Sequence, residues 1–330
     1  MFYSIVIPVF NRPDEVDELL GSLCHQTYKQ FEVLVIEDGS TTPCNHLIEK
    51  YNSRLDLKYY TKPNSGPGTT RNYGVERSKG DYVIILDADC IIPKYYLEEV
   101  EKSLQEEPTD AFGGSDKAHD SFTTTQKAIN YSMTSFFTTG GIRGGKRKMD
   151  KFYPRSFNMG VKREVYLKLG GFSKMRFGED IDFSIRIFEG GYSSKFIEGA
   201  WVYHKRRTNL KRFFKQVYNS GIARINLFRR YPSTLKLVHI LPAAFTIGVV
   251  TLLILSILIS PFFLLPLVIY AILVFIDSSI SNKSIQIGLL SIATAFVQLI
   301  GYGTGFLNAF WKRCILRKDE FTAFEDSFYK

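Results

Sequence analysis

Cysteine is scarce in this 330-residue chain: Cys24, Cys44, Cys90 and Cys314 stand far apart, without the paired spacings that mark zinc sites or a disulfide framework. Charge is missing over long stretches. No Lys, Arg, Asp or Glu occurs in the 40 residues from Leu237 to Ile276, nor in the 28 from Ser284 to Trp311. At a rise of about 1.5 Å per residue and roughly 30 Å of hydrocarbon, the first stretch is long enough for two membrane crossings and the second for one. A membrane anchor is therefore expected. Acids are absent between Glu198 and Asp277, so the nine Lys and Arg residues from Lys205 to Arg230 stand unopposed. A basic run directly before an apolar span reads as a cytoplasmic flank facing anionic headgroups, not as a nucleic-acid surface. No export signal is expected, since the N-terminus opens on a strand-like run. The region before Lys205 is expected in the reducing cytosol.

What is present before residue 90 is an alternation of short apolar runs and helical patterns, the signature of a doubly wound sheet. Strands are expected at Tyr3–Val9, Phe31–Ile36, Leu55–Tyr60 and Tyr82–Leu86, with a helix between the first two that starts at Pro13 and repeats Val16, Leu19, Leu20 and Leu23 at helical spacing. Ligands in such sheets sit beyond the carboxyl ends of strands. The residues there are Asn11 and Arg12, Asp38 and Gly39, the Asn64–Arg71 connection, and Asp87 to Asp89. Beyond Ala111 the pattern is less regular, with a glycine- and lysine-rich stretch, Gly140 to Lys148, that reads as a loop. A strand at Phe157–Val161, a helix at Arg163–Leu169 and a helix opening near Asp180 follow.

Asp87-Ala88-Asp89 ends an apolar strand, where two carboxylates can meet a hard cation that bridges a diphosphate. A turn with an Asx cap explains the same triplet. Gly178-Glu179-Asp180 opens a helix, and there the acids either complement the helix dipole or supply a general base. Neither motif decides by itself.

The ordered set does. Ile7-Pro8-Val9-Phe10-Asn11-Arg12, Glu37-Asp38-Gly39-Ser40, Asn64-Ser65-Gly66 with Arg71-Asn72-Tyr73-Gly74, Asp87-Ala88-Asp89, Asn158-Met159-Gly160, Gly170-Gly171-Phe172, Gly178-Glu179-Asp180-Ile181-Asp182-Phe183 and Val202-Tyr203-His204 follow one another over residues 3 to about 207. In that order they resemble the family 2 glycosyltransferases of the GT-A fold. The resemblance implies an α/β, doubly wound mixed sheet that binds a nucleotide-diphosphate sugar, followed by C-terminal transmembrane helices. It implies that Pro8, Val9, Arg12 and Asp38 line the nucleobase pocket and that Arg71 lies near base and phosphates. Asp87 faces ribose and metal, and Asp89 ligates a divalent metal, Mg²⁺ or Mn²⁺. His204 completes that site in some relatives and is a packed strand-end histidine in others. Asp180 is the implied base, with Glu179 shaping the acceptor site.

Two departures qualify the match. Glu37 replaces the first aspartate of the usual Asp-Asp-Gly, and Gln216-Val217-Tyr218-Asn219-Ser220 stands where polymerising relatives carry Gln-x-x-Arg-Trp. The expectation is a catalytic domain at 1–207, a basic amphipathic interfacial segment at 208–236, about three hydrophobic segments in 237–311 and a polar tail at 312–330. The activity expected is transfer of one sugar to a lipid-linked or glycan acceptor hydroxyl on the cytoplasmic face of a bacterial inner membrane. The partners expected are the donor, that acceptor and an anionic bilayer, and no nucleic acid. A processive polysaccharide synthase and a catalytically silent sugar-nucleotide-binding subunit are the alternatives. A sugar-nucleotide-forming nucleotidyltransferase would need a glycine-rich phosphate loop with Arg after the first strand, which is missing.

Overall fold

The computed structural model describes residues 1–119, 121–140 and 152–324. Residues 141–148 of the stretch read as a loop lie outside these, as does the end of the tail, 325–330. Two compact units emerge, one of 1–119 with 152–205 and the other of 121–140 with 206–324. Sequence alone places residues 121–140 inside the first domain, whereas they pack with the second unit.

All ten strands among the described residues lie in the first unit: β1 (Tyr3–Val9), β2 (Phe31–Asp38), β3 (Leu57–Lys62), β4 (Tyr82–Leu86), β5 (Cys90–Ile91), β6 (Ala111–Gly113), β7 (Asp116–Lys117), β8 (Asn158–Lys162), β9 (Ser194–Phe196) and β10 (Val202–His204). Seven form one sheet in the order β3-β2-β1-β4-β8-β6-β9, parallel through β4, with β8 antiparallel to β4 and β6. The other three form a small sheet, β5-β10-β7.

The middles of the central strands, Ile5–Ile7, Val33–Ile36 and Val83–Leu86, are apolar because both faces are covered, as a parallel sheet requires. Ile5, Ile7, Val33, Val35, Ile84 and Leu86 face Val16, Leu19, Leu20 and Leu23 of the Pro13–Cys24 helix, with Leu97 and Val100 of the Tyr96–Glu106 helix. Their alternates, Val6, Leu34, Ile36, Val83 and Ile85, face Val75, Val165, Tyr166, Phe183 and Ile187. Each fully buried aliphatic side chain contributes about 1.5–3 kcal/mol of transfer free energy, so the sheet fixes its register and presents its strand ends on one rigid edge.

In the second unit the Ile285–Ala309 helix is central. The Thr124–Thr134 helix opens with a Thr123/Gln126 capping box and is stitched to it by Ser132 Oγ, 2.6 Å from Thr294 Oγ1, while Thr294 Oγ1 donates to the Ala128 carbonyl at 3.0 Å. Tyr131 Oη donates to Asp277 Oδ2 at 2.6 Å. The Leu210–Arg230 helix meets the same central helix along glycines: a Cβ at Gly305 would strike the Tyr218 carbonyl, and one at Gly221 the Tyr302 carbonyl. Its apolar residues Phe213, Val217, Ile222 and Ile225 are buried there. Asn219 pairs with both backbone groups of Ala323, accepting at 2.8 Å and donating at 3.0 Å. Among the described residues three helical segments, Leu237–Leu258, Pro261–Asn282 and Ile285–Ile315, are long and apolar enough to cross a membrane.

Candidate active site

The strand ends carry the acids. Asp38, the last residue of β2, is 3 % exposed. Its carboxylate accepts from Lys62 Nζ at 2.5 Å and from the backbone N–H groups of Ser65 and Gly66 at 2.9 and 3.0 Å. Three donors occupy most of its roughly four lone-pair positions, so Asp38 fixes the 64–66 loop. Gly39 makes this approach possible, at φ +73° and with room for no Cβ beside the Asn64 nitrogen. Glu37 is likewise satisfied internally, by Ser40 Oγ, the Cys44 N–H and Tyr59 Oη. Pro8 and Val9 end β1, and Val9 is in the core.

Arg12 reaches away from that loop, its Nη1 2.6 Å from Asp89 Oδ2, and Asp89 holds the guanidinium above its ordinary pKa. On the other carboxylate oxygen, Asp89 Oδ1 lies 3.3 Å from His204 Nε2, and His204 Nδ1 is 3.9 Å from Asp116 Oδ2. Phe157 stacks on the imidazole at 4.7 Å. The ligand atoms of Asp89, Cys90 and His204 lie within 4.8 Å of one another. Burial pushes the Cys90 thiol far up, and its Sγ donates to the Phe157 carbonyl at 3.4 Å. The carboxylate and imidazole donors fit a hard or borderline cation such as Mg²⁺ or Mn²⁺.

Arg71 links this side to the second acidic motif. Its Nη2 donates to Asp87 Oδ1 at 2.7 Å and its Nη1 to Glu179 Oε1 at 3.0 Å, and Phe172 lies 5.3 Å away under the guanidinium. Burial opposes its charge, but Asp87 and Glu179 outweigh that and raise its pKa. The buried Nε has no hydrogen-bond partner among the described residues.

Glu179 and Asp180 begin the Glu179–Glu189 helix after Gly178, whose φ of +83° turns the chain into it. Both acids are buried. Burial pushes Glu179 up to about 7, with Arg71 pulling down and Asp180 pushing up. At Asp180 burial also raises, yet Arg155, with Nε 2.7 Å from Oδ2, outweighs it and holds the carboxyl below its usual range. A carboxyl raised from 4.5 binds more protons folded than unfolded between its two values, so its contribution to stability is lost as pH climbs toward 7. Melting curves of Glu179→Gln should therefore decline less between pH 5 and 8 than those of the parent chain. Parallel declines would remove Glu179 as the titrating group.

Two partners in this constellation escape sequence reasoning. Arg155 and Asp116 lie in no motif, and only the fold brings them to Asp180 and His204.

Residues 4–170 match the model of the glycosyl transferase family 2, half of the chain. The chain belongs to glycosyl transferase family 2. Among curated relatives, the poly(ribitol-phosphate) beta-N-acetylglucosaminyltransferase TarS of Staphylococcus aureus is 34 % identical over 114 residues, 33 % of this chain and 20 % of that protein. An uncharacterized glycosyltransferase of Haemophilus influenzae is 29 % identical over 194 residues, 56 % of this chain and 62 % of the relative. The match spans only 15 % to 20 % of the length of several curated relatives, TarS among them. Among solved structures, a mannosyltransferase from Pyrobaculum calidifontis in complex with GDP-Man and Mn²⁺ shares the fold at a TM-score of 0.63 and 17 % identity, covering 89 % of this chain and 86 % of that one. The mixed sheet of this family 2 chain is thus the GT-A arrangement expected from its motifs.

Proposed function

We propose that this chain transfers one sugar from a nucleoside-diphosphate sugar to the hydroxyl of a lipid-linked or glycan acceptor at a membrane surface, with inversion at the anomeric carbon. The observation that carries this reading is Arg71, which ties Asp87 on the donor side to Glu179 beside Asp180 in one buried chain of charge. Asp89 and His204, with Asp87 nearby, are the residues that would hold a divalent cation. Such a cation, when bound, offsets charge on the departing diphosphate. Arg71 adds a fixed positive charge beside the same oxygens. Asp180 removes the proton of the acceptor hydroxyl, whose oxygen then bonds to the anomeric carbon while the bond to the diphosphate oxygen breaks. Pro8, Val9, Arg12 and Asp38 edge the pocket for the base.

Several observations support the finer points. The mannosyltransferase that shares the fold carries GDP-Man and Mn²⁺. Asn219, where polymerising relatives place Arg, spends its side chain on the backbone of Ala323, which favours single transfer over a held, growing chain. The three apolar helices and the basic run before them favour an anchor in an anionic bilayer with the first unit on the cytoplasmic side.

Isothermal titration with UDP-GlcNAc and GDP-Man, each with and without Mn²⁺, tests the reading. Binding of one donor should require the cation and be lost in Asp89→Ala, and mass spectra of extended acceptor should show a gain of one sugar. Equal affinity in Asp89→Ala would overturn the cation site, and long products beside untouched acceptor would overturn single transfer.

A further inference from the structure

Asp180 is held both from its own helix and from outside it. The backbone N–H of Ile181 donates to Oδ1 at 2.8 Å, and Arg155 Nε donates to Oδ2 at 2.7 Å. The stretch from which Arg155 reaches is anchored at both ends. On one side Ser184 Oγ, on the helix that carries Asp180, donates to the Pro154 carbonyl at 3.0 Å. On the other, Asn158 donates its N–H to the Arg155 carbonyl at 2.9 Å and is itself locked, accepting from Tyr96 Oη at 2.6 Å and donating to the Ala200 carbonyl at 2.7 Å. A planar guanidinium on a tethered turn fixes the direction of the carboxylate as well as its charge.

We propose that Arg155 is the positioning residue of the acceptor-side base, holding the Asp180 carboxylate ionised and oriented so that Asp180, and not the adjacent Glu179, takes the proton. This rests on the assignment of Asp180 as base.

The surrounding charges explain why one neighbour of the pair needs such help. Glu179 precedes Asp180 on the same helix, and Asp182 is neutralised by Arg186 at 3.0 Å. Arg71 approaches from the Pro67–Glu76 helix but spends its contacts on Glu179 and Asp87. Asp116 of β7 acts on the Arg155 guanidinium. Among the described residues, Arg155 is the cation shown in direct contact with Asp180. Without it, Asp180 is a buried acid beside a second acid, the condition that already raises Glu179.

Losing an adjacent guanidinium moves an aspartate upward by about one to three pH units. Carbodiimide modification of the full chain in detergent, read by mass spectrometry at Asp180 across pH 2–9, measures this without turnover, because the reagent couples to protonated carboxyls. In Arg155→Gln the half-modification pH of Asp180 should rise by about one to three units, with Arg155→Lys between it and the parent. The acid limb of kcat should rise with it while the donor KM stays the same. An unmoved half-modification pH in both variants overturns the proposal, and the lysine variant decides if the glutamine variant does not fold. Failure of the underlying reading is separate: Asp180→Asn would then turn over normally whatever the labelling shows.

Discussion

Asp180→Asn is expected to bind donor as the parent does while transfer falls by roughly two to four orders of magnitude, the range for loss of a positioned general base. The substitution keeps shape and removes the charge. An asparagine can turn its carbonyl oxygen toward Arg155 Nε, so the 2.7 Å contact survives while the proton acceptor does not. Arg71 and Asp87 are untouched, and with them the donor side. A drop in kcat with an unchanged donor dissociation constant is the result that fits. Turnover near the parent value would move the base to Glu179, which burial raises above the usual carboxylate range.

The second large effect concerns packing. Gly305→Ala should destabilise the chain by at least about 1–3 kcal/mol, the cost of overpacking a site that cannot relax, because the new methyl meets the Tyr218 carbonyl and not a side chain that could turn aside. Gly248→Ala, in the Leu237–Leu258 helix, meets nothing within 4 Å and should be neutral or stabilise by up to about 1 kcal/mol. One substitution type thus gives opposite signs in two apolar helices. Melting temperatures in one detergent compare them, and equal shifts would show that the Leu210–Arg230 helix does not rest on Gly305.

These contrasts mark what the sequence discloses. β1 and β4 are legible to the residue, since long apolar runs bounded by turn residues have few other solutions. β7 and β9, of two and three residues, carry no period, and nothing in the less regular 121–140 stretch says which unit covers it. The same gap applies to the basic helix. Leu210, Phe213, Phe214, Val217, Ile222, Ile225 and Phe228 among the basic residues predict an interfacial helix, yet Phe213, Val217, Ile222 and Ile225 are buried against a neighbouring helix, and the glycines at 221, 301 and 305 were the available signal. Among the site residues, those placed after strands were findable because the sheet dictates where strand ends go. Arg155 was not, since its partner lies 25 residues away and depends on how a turn is tethered.

The bridging of Asp87 and Glu179 by one guanidinium also sets a rule of proton counting. Arg71 is the cation that restrains the pKa of Glu179. An anion that drew Arg71 toward Asp87 would weaken that restraint and favour the protonated form of Glu179. On the proposed reading, anion occupancy at Arg71 and protonation of Glu179 would then be two readings of one equilibrium: an anion that arrived would bring a fraction of a proton in with it from the solvent, and its departure would give that fraction back.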